Sequence, residues 1–124
     1  MIKPRDTGAT RIWKATRYSM QGLKAAWINE SAFRQECILG LALLPLAFWL
    51  AQNWVEATVL IAVCFLVLII ELLNSAIEAV VDRVGPEHHD LAGRAKDMGS
   101  AAVMLSLIMA LGTWFLILMH RLTG

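Results

Sequence analysis

Glu71, Asn74, Ser75, Glu78 and Asp82 follow one another at helical spacings, so on an α-helix they share one face of roughly 100°. They lie within VLIIELLNSAIEAVVDRV, a run from Val67 to Val84 that otherwise has the composition of a lipid-facing helix. A charged side chain at the centre of a bilayer costs at least about 2.5 kcal/mol on insertion scales. The stripe must therefore face a protein interior or a wet cleft. Its helix, read as residues 57–84, would be roughly 42 Å long at ~1.5 Å rise, against a hydrocarbon core of about 30 Å. One end projects, which sets Glu78 at the inner interface, Asp82 in the aqueous layer and Glu71 roughly 10 Å deeper. Acids graded in depth suit two tasks. A poorly solvated carboxylate between Ile70 and Leu72 is a proton acceptor for chemistry near neutral pH, and one close to water can hold a cation. The plainer alternative is a stripe that only bonds neighbouring helices together.

Other polar residues are expected at the same level. Glu30 follows Asn29 at a break between helices, and two carboxylates at the depth of Glu78 suit Mg²⁺, which completes its shell with phosphate oxygens and water. Alone, Glu30 reads equally as a helix-start acid offsetting the macrodipole. In the connection GPEHHDLAGRAKDMGS, Gly85 and Pro86 end one helix, and Lys96, Asp97 and Ser100 open the next. Lys96 is a cation within reach of phosphate there, although a lysine at that position also serves simply as a topology anchor. His88 and His89 are adjacent and point different ways on any regular backbone, which disfavours a metal pair. The sequence contains no Walker-type loop, no G-x-G-x-x-G and no soluble-kinase H-R-D or D-F-G set. A nucleotide site here has to be built differently.

The elements that position these residues follow from hydropathy and charge. Of 124 residues, 58% are hydrophobic, the net charge is +1 and the mean hydropathy is +0.60, too apolar for a soluble domain of this length. No charged residue occurs from Cys37 to Val55 or from Met98 to Met119, and each run can cross a bilayer. The expected architecture is all-α and a single membrane domain over 1–124. It has an amphipathic surface helix at about 7–28 and spans at about 33–54, 57–84 and 95–119. On the surface helix Ile12, Trp13, Met20, Leu23 and Trp27 take one side, Arg11, Lys14, Arg17, Gln21 and Lys24 the other, and Thr16 is the polar residue among the apolar set. That segment lacks the continuous apolar core of a signal peptide. All lysines and arginines but Arg121 fall on one side of such a three-span arrangement, which places the amino terminus in the cytoplasm and the carboxyl terminus outside. Trp49 and Trp54 flank a short external turn. Cys37 and Cys64 fall on different helices at different depths, so no disulfide is expected. Three spans enclose little interior, so the polar stripe argues for an oligomer or a cleft sealed by a neighbouring subunit.

The blocks LKAAWINESAFRQE, ELLNSAIEAVVDR and GRAKDMGSAAV, in that order and at these spacings, resemble the bacterial integral-membrane diacylglycerol kinase family from about Arg11 to about Met119. The resemblance implies a homotrimer in the bacterial inner membrane with active sites shared between subunits. The reaction it implies takes MgATP and diacylglycerol to ADP and phosphatidate. By matching positions, Glu71 would be the general base, and Glu30 and Glu78 would hold Mg²⁺, with Mn²⁺ as an alternative. Arg11, Tyr18, Glu30, Glu78, Lys96 and Asp97 would contact ATP, and Glu87, His88 and His89 would lie against the adenosine. Asn74 and Asp82 would support the site, and Ser19, Trp27, Phe33, Glu36, Ser100 and Trp114 would border the lipid. Pro86, His88 and Ala92 depart from the family pattern, which weakens the adenine-side assignments.

Three rivals remain at this level. An undecaprenol kinase has the same architecture, and an apolar lining does not separate a two-chain glycerolipid from a polyprenol. A small proton or cation transporter also carries intramembrane acids. It needs them along a complete path, whereas these crowd the inner half of the spans. A non-catalytic assembly subunit would tolerate Gln at position 71. No nucleic-acid partner is expected.

Overall fold

The computed structural model describes residues 1–85 and 90–124. Four helices follow in order: α1 (Gly8–Asn29), α2 (Ser31–Leu50), α3 (Trp54–Val84) and α4 (Asp90–Thr123). The last three are long and apolar enough to cross a bilayer. α3 packs most extensively on α4, then on α2, while α1 touches mainly α2.

Local chemistry sets the helix boundaries. Glu30, with φ −118° and ψ 103°, is the single extended residue between α1 and α2. Its N–H donates to Ala26 O at 2.8 Å, and its own carbonyl accepts from Arg34 N at 3.2 Å. The Arg34 guanidinium then reaches back to the carbonyls of Trp27 at 2.7 Å and Ile28 at 3.0 Å, which α1 itself leaves without partners. This elbow puts the Glu30 side chain at the junction of the two helices. At the other end of α2, Asn53 caps α3 by accepting from Glu56 N at 2.8 Å, and the Glu56 carboxylate accepts from Gln52 N at 3.1 Å. Gly85, at φ 156°, ends α3 in a conformation that only glycine adopts readily. Thr16 donates its hydroxyl to Ile12 O at 2.8 Å, one turn back on α1, and so needs no outside partner.

The core is narrow. Ala47, Leu50 and Leu60 are buried together, flanked by Ala51, Ile61, Trp114 and Ile117. Along α3 the buried positions are Ala57, Leu60, Val63, Val67 and Glu71, steps of three and four that trace one face of the helix. The polar stripe therefore continues the packing stripe. It is apolar to Val67, and from Glu71 onward the same face turns polar. Most other large apolar side chains of α2, α3 and α4 are exposed, as a membrane-embedded surface allows. Cys37 and Cys64 are both free.

Before α1 the chain folds back on it, with Asp6 accepting from Lys14 Nζ at 2.9 Å and from Lys3 N at 2.7 Å. The Lys14 hydrogen bond, seconded by the Lys3 amide, holds the Asp6 carboxyl below its ordinary pKa. This tether contributes above the unfolded-state pKa and is lost as pH falls through the lower folded value. Carboxyl NMR should find Asp6 titrating below a free aspartate and Lys14→Met returning it upward; equal titration in both proteins rules the tether out. Arg34→Met should speed amide exchange at the α1 terminus about tenfold, the loss expected from a charge-assisted cap. Unaltered exchange means that the elbow holds without it.

Candidate functional site

Glu71 is 7% exposed and is the buried acid of the packing stripe. Glu78 and Glu30 lie within its electrostatic range, and Glu71 lies within that of Glu36. Four carboxylates from α2, α3 and the elbow thus lie toward one end of the bundle, although no three of them converge on one point among the described residues. Asn74, one turn beyond Glu71, donates its Nδ2 to Glu78 Oε1 at 3.3 Å. A further turn on, Asp82 Oδ1 lies 2.7 Å from Lys96 Nζ across the α3–α4 interface, with both side chains exposed. Lys96 is therefore held beside the acids, in a pairing that solvent weakens.

Between α1 and α3 lies an open cleft of about 670 Å³, lined by Ser19, Ala26, Asn29 and Glu30 on one side and Leu72, Ser75 and Ala79 on the other. Its walls are mostly apolar, with polar groups at the elbow and at Ser75, one turn from Glu71. A second space of about 330 Å³ lies among α2, α3 and α4, lined by Glu36, Gly40, Cys64, Val67 and Trp114. Glu36 Oε2 and Trp114 Nε1 are both buried without a hydrogen-bond partner among the described residues. A lone acceptor and a lone donor in an apolar lining are costly unless something completes them.

The remaining residues singled out from the sequence are less gathered. Phe33 is buried next to the elbow, whereas Arg11, Tyr18 and Trp27 are exposed along α1 and Asp97 and Ser100 along α4. Glu87, His88 and His89 lie outside the described residues. Among the described residues no three His, Cys, Asp or Glu side chains converge as a metal cluster. The donors present are hard oxygens, which suit Mg²⁺ when phosphate supplies the rest of its shell. Gly99 was missed by sequence reasoning. It is one of two buried residues of α4, and its one available signal was a glycine in a helix interior, which costs about 1 kcal/mol relative to alanine.

The fold and the site define a small helical membrane protein with carboxylates toward one end of its spans, beside a mostly apolar cleft. The sequence profile of the prokaryotic diacylglycerol kinase family matches residues 17–118. A diacylglycerol kinase of Escherichia coli is 56% identical over 112 residues, covering 90% of this chain and 92% of that protein. One of Pseudomonas aeruginosa is 52% identical over 114 residues (92% and 93%), and one of Haemophilus influenzae 49% over 110 residues (89% and 93%). The chain belongs to the prokaryotic diacylglycerol kinase family. Arg11 falls outside the stretch that the profile matches.

Because Asp82 and Lys96 meet in solvent, Asp82→Asn should leave the thermal midpoint unchanged while opening Lys96 to amine-reactive labelling. A large drop in midpoint would make the pair a structural clamp between α3 and α4.

Proposed function

We propose that this protein is a lipid kinase of the bacterial inner membrane that transfers the γ-phosphate of ATP to diacylglycerol, giving phosphatidate and ADP. The observation that carries the reading is the buried Glu71, with Glu30 and Glu78 in electrostatic range at the edge of an apolar cleft. A two-chain lipid can lie along such a cleft and present its hydroxyl to Glu71. Glu71 takes the hydroxyl proton as the oxygen attacks the γ-phosphorus, and the bond to the bridging oxygen breaks to release ADP. Phosphoryl transfer demands positioning and charge neutralisation more than covalent chemistry, which a few polar groups on rigid helices can supply.

Glu30 and Glu78 would hold Mg²⁺, and Mn²⁺ would accept the same oxygens. When bound, the ion neutralises charge building on the bridging and terminal phosphate oxygens. Lys96 exchanges its exposed partner Asp82 for phosphate, an exchange that costs little because the pair is solvated. Asp97, Tyr18 and Arg11 flank the nucleotide, together with Glu87, His88 and His89. Asn74 steadies Glu78. Ser19, Trp27, Phe33, Glu36, Ser100 and Trp114 border the lipid, and Glu36 and Trp114 line the space among α2, α3 and α4.

The wider arrangement belongs to the same reading. α1 lies on the inner membrane surface by its Ile12, Trp13, Met20, Leu23 and Trp27 side, with the amino terminus in the cytoplasm and the carboxyl terminus outside. Three copies assemble so that the exposed Asp82, Lys96, Asp97 and Ser100 are covered by a neighbour. A transporter is disfavoured, because α3 carries no ionisable carboxylate, lysine, arginine or histidine between Glu56 and Glu71.

The test is phosphate transfer from labelled ATP, in detergent or lipid, to diacylglycerol, undecaprenol and ceramide in parallel, beside Glu71→Gln. Diacylglycerol should be phosphorylated, and Glu71→Gln should lower turnover about 100-fold or more while ATP binding is largely kept. Retained turnover would remove Glu71 as the base. A preference for undecaprenol would move the lipid assignment and leave the chemistry in place.

A further inference from the structure

Although α4 packs along α3, only Gly99 and Ser106 of its described residues are fully buried. Ser106 satisfies itself by donating to Val103 O at 2.7 Å. Gly99 has a different neighbour. A Cβ placed on it would overlap Asn74 Oδ1 and stand 3.4 Å from Asn74 Cγ and 3.9 Å from Asn74 Cβ. The amide of Asn74 therefore occupies the space that any larger residue at position 99 would fill. Its oxygen is buried there without a hydrogen-bond donor among the described residues. At its other end Nδ2 donates to Glu78 Oε1.

These facts fix which way the amide points. Turned over, it would set its oxygen against the carboxylate of Glu78, acceptor against acceptor. Held as it is, the oxygen has to rest in a buried place where nothing donates to it. Only a position without a side chain leaves room for that, with the glycine Cα hydrogens as weak partners. The close approach also falls three residues after Lys96, so the same helix contact that seats the amide brings Lys96 to Asp82.

We propose that Gly99 is a positioning residue for the phosphoryl-transfer site. By leaving space for the Asn74 amide, the α4 backbone holds Asn74 as the donor that aims Glu78 at the nucleotide-bound cation. The proposal rests on the reading of Glu78 as a ligand of that cation. Gly99 touches no substrate; it acts through Asn74. At 3.3 Å the Asn74–Glu78 bond is slightly longer than the usual range, so the effect is one of aim more than of bond strength.

The experiment is calorimetric binding of the Mg²⁺ complex of a non-hydrolysable ATP analogue to the full-length protein in lipid. Wild type, Gly99→Ala, Asn74→Ala, the double variant and Glu78→Gln are compared, with thermal midpoints recorded beside them. Gly99→Ala should weaken binding about fivefold to tenfold, the scale of one misdirected hydrogen bond to a charged group. Asn74→Ala should do the same, and the double variant should bind no worse than Asn74→Ala alone, because the two changes remove one interaction. Wild-type binding by Gly99→Ala, or losses that multiply in the double variant, overturns the proposal. If Gly99→Ala does not fold, a folded double variant that binds like Asn74→Ala upholds it, and a double variant that also fails to fold overturns it. Glu78→Gln binding as tightly as wild type removes instead the reading of Glu78 on which the proposal stands, and the proposal goes with it.

Discussion

A carboxylate packed into the buried face of a membrane helix is the constraint from which the rest of this molecule follows. Glu71 occupies the next step of the stripe that runs through Leu60, Val63 and Val67, a position where an apolar side chain would pack without penalty. An acid there loses hydration and recovers little from its surroundings unless it is put to use. The helices around it are arranged to make that place reachable. The Glu30 elbow leaves α1 standing away from α3 with an open cleft between them, and the Arg34 cap fixes where the elbow turns. α4 comes close at Gly99, where its backbone is bare, and carries Lys96 to the rim.

The distribution of burial separates two parts of the site. The sequence argument that a polar stripe in so small a bundle needs a neighbouring subunit applies unevenly, because the chain itself covers Glu71. Glu78 is partly covered, and Asp82, Lys96, Asp97 and Ser100 are open. The end of the stripe at Glu71 is thus formed within one chain, and the end at Asp82 and Lys96 is left for water or a neighbour to complete. That division suits the proposed reaction, between a substrate that never leaves the membrane and one that never enters it.

Much of this was legible in the residues. Charge-free runs mark what crosses the bilayer, and the spacing of Glu71, Asn74, Glu78 and Asp82 puts them on one helix face whatever packs against them. Helix ends were less visible. α4 starts at Asp90, before the charge-free run, because hydropathy reports the membrane and not the hydrogen-bonded helix, whose first turns are polar and project beyond it. Lys96 reads from sequence as a free cation, and the fold gives it Asp82. The buried Trp114 N–H and the Gly99–Asn74 approach depend on which faces of two helices meet, and no local pattern encodes that.

The two unusual buried polar atoms near the lipid-facing spaces, Glu36 Oε2 and Trp114 Nε1, bear on how the bundle tolerates its acids. Both line one apolar space, and Glu36 is also in electrostatic range of Glu71. Glu71 thus shares this end of the bundle with Glu36 on α2, Glu78 on α3 and Glu30 in the elbow. Because those groups sit on three separate elements, the relative placement of the helices sets the electrostatics of the site as much as any one side chain does. A substitution that shifts α2 or the elbow against α3 can then alter the chemistry without touching an acid.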